Sequence, residues 1–156
     1  MIVCLFGFLM TGFDDRHHLQ RFVDAQEPVI ASVLTELKRG RKYGHWIWFI
    51  FPQLKGLGRS SMSEFYGISS LDEAKAYLQH PILSPRLLQC TKLVIEIQGS
   101  DAEDIFGEID AMKFRSCMSL FAAADPGERV FSQALEQYFK GEGDPLTMSY
   151  LVKRDL

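Results

Sequence analysis

Apolar residues recur at helical spacing along most of the chain. In the first such run, between residues 19 and 37, apolar side chains at three- and four-residue steps form one helix face. Pro28 interrupts this face, because proline lacks an N–H group and its ring clashes with the preceding turn. The pattern therefore predicts one helix through about Ala25 and a second helix that begins at Pro28 and ends at Gly40.

Later helices are indicated by capping residues, glycines and prolines. Ser61 and Ser70 each stand three residues before a glutamate, which is the pattern of a capping box at a helix start. The predicted later helices are Ser61 to Gly67, Ser70 to Gln79, Pro81 to near Gly99, Ser100 to Phe106, Ile109 to Ala124, Glu128 to Lys140 and Pro145 to Leu151. The sequence thus predicts an all-α fold of about seven or eight mostly short helices in a single compact domain.

The fold is expected to form around one aromatic-rich segment. The stretch from Lys38 to Ser61 contains both tryptophans, four glycines, six basic residues and no acidic residue. Within it, HWIWFIFPQL has seven apolar residues among ten without clean alternation. Pro52 argues against a central strand, because proline cannot donate to a strand ladder. We therefore expect a short helical or extended segment packed in a helical core.

Length and charge indicate a soluble globular domain over residues 14–156. The chain has 156 residues, of which 47% are hydrophobic and 24% are charged, as in ordinary folded domains. Its net charge of −3 argues against nucleic acid as a partner, because general polyanion binders are basic. The six basic residues between 38 and 59 could nevertheless contact a small anion.

The opening segment, residues 1–13, is apolar but too short to span a membrane, and it lacks a basic region and a cleavage site. We expect an extended or disordered N-terminus. A vestigial leader, an extension from an upstream start codon and a buried strand all stay open. Cys4, Cys90 and Cys117 share no short spacing and indicate reduced thiols of a cytoplasmic protein. The short apolar opening and the reduced cysteines together predict a cytoplasmic protein without membrane attachment.

The first candidate site is the turn GLGRSS. Gly56 and Gly58 would let backbone amides approach a ligand, Arg59 adds charge, and Ser60 and Ser61 precede a helix start. Such parts together bind phosphate or carboxylate groups. The spacing matches neither of the common nucleotide-binding glycine motifs. A plain loop before a capped helix is the alternative interpretation.

The second candidate site follows in the aromatic segment. Trp46 and His45 could stack on a base or sugar, and Gln53 could donate a hydrogen bond to it. His45 is also a candidate for proton transfer, since its ordinary pKa suits work near neutrality. The alternative is that the aromatic side chains belong to the core.

The third candidate site lies on the helix predicted after residue 108. Lys113 and Ser116 share a stripe with Ile109, near the core-facing side, where a lysine could reach a bound anion. Asp110 could form a surface ion pair with Lys113 or act in acid–base chemistry. Asp104 is also open to two interpretations: it could be an ordinary carboxylate at a helix start, or a general base at the edge of the pocket.

Metal and cofactor sites find no support in the sequence. The run from Asp14 to His18 contains ligand types, but adjacent histidines on a helix point about 100° apart and do not share an ion easily. Serine, cysteine and histidine residues are too scattered to argue for a catalytic triad. We therefore expect neither a metal nor a cofactor.

Three runs of the sequence indicate a family: LQRFVDAQEPV, GRKYGHWIWFIFPQLKGLGRSSMSEFYGISSLDEAKAYLQHPILSPRL and DIFGEIDAMKFRSCMSLFAAA. Over roughly residues 19–151 the chain resembles the domain-of-unknown-function family eighteen-ten, mainly helical proteins of bacteria and fungi. The resemblance implies an all-α single domain and transfers no established activity. Members often carry the label calpastatin, which fits poorly because such inhibitors are disordered polar chains. The most distinctive runs coincide with the three candidate sites, which implies a common pocket.

Three functions are compatible with these features. The first is binding of a small anionic, nucleotide-like metabolite in a pocket built around residues 45–61. The second is a hydrolase or glycosidase for a nucleotide-sugar-type substrate at the same pocket, with His45, Asp104 or Asp110 as acid or base. The third is a protein-interaction or nucleic-acid module that uses residues 38–42 as a basic outer patch, which the negative net charge disfavours.

Overall fold

This computed structural model describes residues 14–154, which contain ten helices and no β-strand. The all-α prediction is confirmed, with more helices than expected. The prediction of an extended or disordered N-terminus concerns residues 1–13, which lie outside the described part. The helices are α1 (Gln20–Gln26), α2 (Ile30–Lys38), α3 (Ile47–Ile50), α4 (Ser61–Phe65), α5 (Leu71–Gln79), α6 (Leu83–Glu96), α7 (Ala102–Phe106), α8 (Glu108–Ala124), α9 (Val130–Phe139) and α10 (Pro145–Arg154).

Helix α8 is the longest helix and lies at the centre of the fold. Helices α3, α5, α7, α9 and α10 all pack against it, and α6 packs on α2, α5 and α9. Phe114, Cys117 and Phe121 of α8 are fully buried. Burial raises the pKa of Cys90 to about 12 and that of Cys117 well above its ordinary value, so both free thiols are unreactive core residues. Among the described helices, none is long and apolar enough to cross a membrane.

Several helix starts differ from the predicted positions by one or two residues. Helix α2 begins at Ile30 and not at Pro28, which lies in the preceding turn. Helix α4 is capped by Ser60 and not by Ser61, since the Ser60 hydroxyl accepts a hydrogen bond from Ser63 N. The predicted cap at Ser70 is confirmed by its hydrogen bond from Glu73 N.

The aromatic segment is a single turn of helix, α3, held in the core as predicted. The buried Gln26 side chain donates to Phe49 O at 2.7 Å and thereby fixes α3 against α1. After α3 the chain extends and forms an isolated parallel bridge between Leu54 and Ile68. Lys55 N donates to Ile68 O, and Ile68 N donates to Gln53 O, both at 2.9 Å. This bridge fixes both ends of the segment that contains α4.

His80 caps the start of α6 with its side chain. Its Nδ1 accepts hydrogen bonds from Ile82 N at 3.1 Å and from Leu83 N at 3.2 Å, so this nitrogen carries no proton. Burial lowers the pKa of His80 below its ordinary value of 6.5; Asp15 opposes this shift, whereas the positive Arg86 adds to it. Protonation of His80 therefore breaks a helix cap.

We expect the free energy of unfolding to fall as the pH drops below about 6.5, because the unfolded chain then binds a proton that folded His80 resists. The contribution of the neutral His80 cap to the free energy of unfolding is fully present above this pH. Urea unfolding between about pH 7.5 and 5.5 measures the slope. His80→Asn supplies an acceptor oxygen that does not titrate, so the variant should show a flatter slope. His45→Asn, at an exposed histidine, is the matched control and should keep the wild-type slope; equal slopes in all three proteins would contradict the assignment.

Candidate functional site

A cleft of about 460 Å³ lies where the 53–59 loop meets the first turns of α8 and α10. This volume falls within the range of roughly 300–1,000 Å³ found for ligand pockets. Five residues predicted as ligand contacts line it: Gln53, Gly58, Arg59, Lys113 and Ser116. The cleft therefore brings together the glycine turn and the α8 stripe, which are more than fifty residues apart in sequence.

Two polar side chains of the cleft have no partner among the described residues and are free to meet a ligand, whereas the Ser116 hydroxyl donates to a backbone carbonyl of α8. The Arg59 guanidinium and the Gln53 amide form no hydrogen bond or ion pair within residues 14–154, although Gln53 is only 8% exposed. Lys113 Nζ lies 3.7 Å from the Asp110 carboxylate. Unpaired polar groups on a concave surface are the usual means of orienting a ligand. The cleft can thus offer a guanidinium, an ammonium and an amide to an acceptor.

One carboxylate also lines the cleft. Asp144 caps α10, and its Oδ2 accepts hydrogen bonds from Thr147 N at 2.9 Å and from the Thr147 hydroxyl at 2.6 Å. The lining therefore carries two cations, Arg59 and Lys113, against one anion. The electrostatic character of the cleft is positive but modest.

The remaining wall of the cleft is aliphatic and unusually exposed. Ile109, Met112 and Leu146 are 70%, 64% and 66% exposed, and the half-buried Leu57 continues the same surface. Ile109, Met112, Lys113 and Ser116 follow the i, i+3, i+4, i+7 spacing of one helix face. Sequence reasoning placed this stripe near the core-facing side. The structure instead shows that its first turns face the cleft.

The two glycines of the turn have separate structural roles. A Cβ atom on Gly58 would lie 2.5 Å from Ser63 Cβ, so only glycine fits where the loop crosses α4. Gly56 has a φ of +96° and lies in open space. Helix α4 has only five residues, and the Ser60 hydroxyl occupies Ser63 N, so no anion site forms at this helix start. Any anion in the cleft must be held by side chains.

Gly56, Ser60 and Ser61, although predicted as contacts, do not line this cleft. Ser61 instead faces a separate, more open hollow beside Lys55. The residues of the 55–61 turn therefore line two different concave surfaces, and the local sequence does not indicate which residue faces which surface.

Trp46 is 2% exposed and lies in the core, with its ring 6.2 Å from that of Phe51. Its indole N–H points between the two Glu36 oxygens, at 3.2 and 3.3 Å. Trp46 is therefore unavailable to stack on a ligand. His45 is exposed but does not line the cleft.

Exposure alternates along residues 41–46, between α2 and α3. Lys42, Gly44 and Trp46 are half-buried or buried, whereas residues 41, 43 and 45 are exposed. The Glu36 carboxylate fixes this segment against α2, because it also accepts hydrogen bonds from Tyr43 N and Gly44 N. Burial favours protonation of Glu36, but these hydrogen bonds outweigh it and keep the pKa below its ordinary value.

The two predicted acid–base carboxylates are engaged elsewhere. Asp110 lies between two lysines, with its oxygens 2.7 Å from Lys42 Nζ and 3.7 Å from Lys113 Nζ. Asp104 forms a capping box with Asp101 at the start of α7. The Lys42 side chain is only 7% exposed, so it does not belong to the outer basic patch proposed from sequence. Within residues 14–154 no cluster of three metal-binding side chains occurs.

The family model described as protein of unknown function DUF1810 matches residues 16–151. The chain belongs to this family. A solved member of the same fold is the conserved hypothetical protein Rv1873 from Mycobacterium tuberculosis, which is 52% identical in sequence. The match covers 86% of this chain and 96% of that one, with a TM-score of 0.85. No curated protein matches the chain, so function has to be argued from the site.

Proposed function

We propose that the protein binds a small anionic metabolite in the cleft between the 53–59 loop and helices α8 and α10. The observation that carries this proposal is the meeting of Arg59, Gln53 and Lys113 on one concave surface. Gln53 and Arg59 come from the 53–59 loop, and Lys113 comes from α8. An unpaired guanidinium and an unpaired amide beside an ammonium group suit the oxygen atoms of an acidic ligand.

The size and wall of the cleft favour a small molecule. Pockets for metabolites combine apolar walls with a few polar groups that fix orientation, and the aliphatic residues beside Arg59 follow this pattern. A hydrolase at the same cleft gains no support, because His45 and Asp104 do not line it and Asp110 is paired with lysines. Binding is therefore the function that the geometry favours.

A thermal-shift screen with Arg59→Gln as the test variant examines the proposal. The panel contains inorganic phosphate, AMP, ADP-ribose, sugar phosphates and small carboxylates. A ligand at about a hundred times its Kd stabilises the folded protein by about 2.7 kcal/mol, which corresponds to a Tm increase of about 5–10 °C for a chain of this size. The increase should disappear in Arg59→Gln.

Arg39→Gln is the matched control, because Arg39 is also exposed but does not line the cleft. This variant should respond to ligand as the wild type does. If none of the anions raises the Tm, or if Arg59→Gln responds as the wild type does, the protein does not bind an anion in this cleft.

A further inference from the structure

We propose that the ligand of this cleft is an aliphatic monoanion, namely a carboxylate attached to a flexible hydrocarbon body. This inference rests on the proposed function and names its ligand class. Two observations lead to it: the chemistry of the cleft wall and the balance of charges.

The wall of the cleft favours a hydrocarbon over an aromatic base. Its apolar lining residues are Leu57, Ile109, Met112 and Leu146, and none of the described residues that line it is aromatic. Proteins that hold a nucleobase commonly stack it on an aromatic ring. Flexible aliphatic and methionine side chains instead adapt to a hydrocarbon of variable shape. The wall thus fits an acyl or alkyl group better than a nucleotide.

The charges of the cleft favour a single negative charge. Arg59 and Lys113 supply two positive charges, and the Asp144 carboxylate removes one of them. Asp110 lies 3.7 Å from Lys113 Nζ but is itself paired with Lys42 at 2.7 Å, so the lining keeps one net positive charge. A phosphate monoester carries close to two negative charges at neutral pH, which exceeds this net charge. The single negative charge of a carboxylate matches the net positive charge of the lining.

The lining supplies polar groups for the carboxylate of such a ligand and apolar side chains for its hydrocarbon body. The planar fork of Arg59 can bind a carboxylate through two parallel hydrogen bonds, and the nearly buried Gln53 amide can add a third donor. Ile109, Met112 and Leu146, each more than 60% exposed, would be covered by the hydrocarbon body. Covering exposed apolar surface favours association, so both ends contribute to affinity.

Isothermal titration with three probes tests the ligand class. Octanoate carries the proposed carboxylate on a hydrocarbon chain, and 1-octanol has the hydrocarbon chain without the charge. AMP carries a negative phosphate group and an aromatic base. We expect octanoate to bind at least about tenfold more tightly than either of the others, because 1-octanol lacks the charge-assisted hydrogen bonds and AMP lacks the hydrocarbon body. Arg59→Gln should weaken octanoate binding by about tenfold or more.

Two variants of α10 test the apolar end with a matched pair. Leu146→Ser removes an exposed aliphatic side chain from the cleft, whereas Val152→Ser removes one that is 60% exposed on the same helix but outside the cleft. Leu146→Ser should weaken octanoate binding about fivefold, and Val152→Ser should bind as the wild type. Both positions are exposed, so the fold is expected to persist, and circular dichroism checks this.

The outcomes separate this inference from the proposed function. Tighter binding of AMP than of octanoate, lost in Arg59→Gln, would overturn the aliphatic class and support the anion site. Absence of binding by every anion would overturn both. Octanoate binding that is equal in the wild type, Arg59→Gln and Leu146→Ser would show adsorption elsewhere on the surface, and would overturn the inference.

Discussion

Replacement of Arg21 by alanine is expected to lower the free energy of unfolding by about 3–5 kcal/mol, because it leaves a buried carboxylate without its partner. Arg21 and Glu73 form an ion pair of 2.9 Å, with side chains only 8% and 5% exposed. All the N–H groups of the Arg21 guanidinium have acceptors. These are the Glu73 carboxylate and the carbonyl oxygens of His17, His18, Phe65 and Gly67.

Urea denaturation followed by circular dichroism measures this effect. Arg21→Lys should also be strongly destabilised, since an ammonium group cannot reproduce the planar fork. Arg16→Ala is the matched control: its ion pair with Asp14 is exposed at 74% and 60%, so its unfolding midpoint should stay unchanged. Similar midpoints for Arg21→Ala and Arg16→Ala would show that the buried pair does not stabilise the fold.

Replacement of Glu36 by alanine is expected to cost about 2–3 kcal/mol, because buried donors lose their acceptor. The indole N–H of Trp46 would have no acceptor within the core, and the N–H groups of Tyr43 and Gly44 would turn to water. Gly44 cannot compensate by a side chain, since a Cβ atom there would lie 2.7 Å from Trp46 Cδ1. Chemical denaturation measures the loss of stability.

Tryptophan fluorescence gives a second, local measurement of the same change. Emission should shift to longer wavelength in Glu36→Ala as the 41–46 segment loosens and water reaches Trp46. Glu136→Ala, at an exposed glutamate of α9, is the control and should match the wild type in both measurements. An unchanged midpoint together with unchanged emission in Glu36→Ala would mean that Glu36 is dispensable for holding Trp46.

Much of the fold was predictable because local signals determine it. Ser70 caps one helix and Pro145 begins another in the structure, as the sequence indicates. The meeting of the 53–59 loop with Lys113 and Ser116 was suggested only by the family resemblance. Helical periodicity could not show it, since it describes one segment at a time.

The parts that sequence reasoning missed depend on distant contacts. Asp144 and Leu146 reach the cleft from the last helix, and no local pattern links them to Arg59. Trp46 is committed to the core by Glu36 from another helix, so its aromatic character alone was misleading. The spacing placed Ile109 near the core-facing side, but the packing of α8 leaves its first turns exposed.

The parallel bridge between Leu54 and Ile68 also bears on how the family could diversify. Its hydrogen bonds join backbone atoms, so the ends of the intervening segment stay together whatever side chains lie between them. Gly56, at the open edge of that segment, has no neighbour within 4 Å of a substituent. Insertions beside Gly56 that keep glycine at position 58 therefore lengthen the loop that carries Arg59, and so alter ligand preference, while the helices beneath keep their packing.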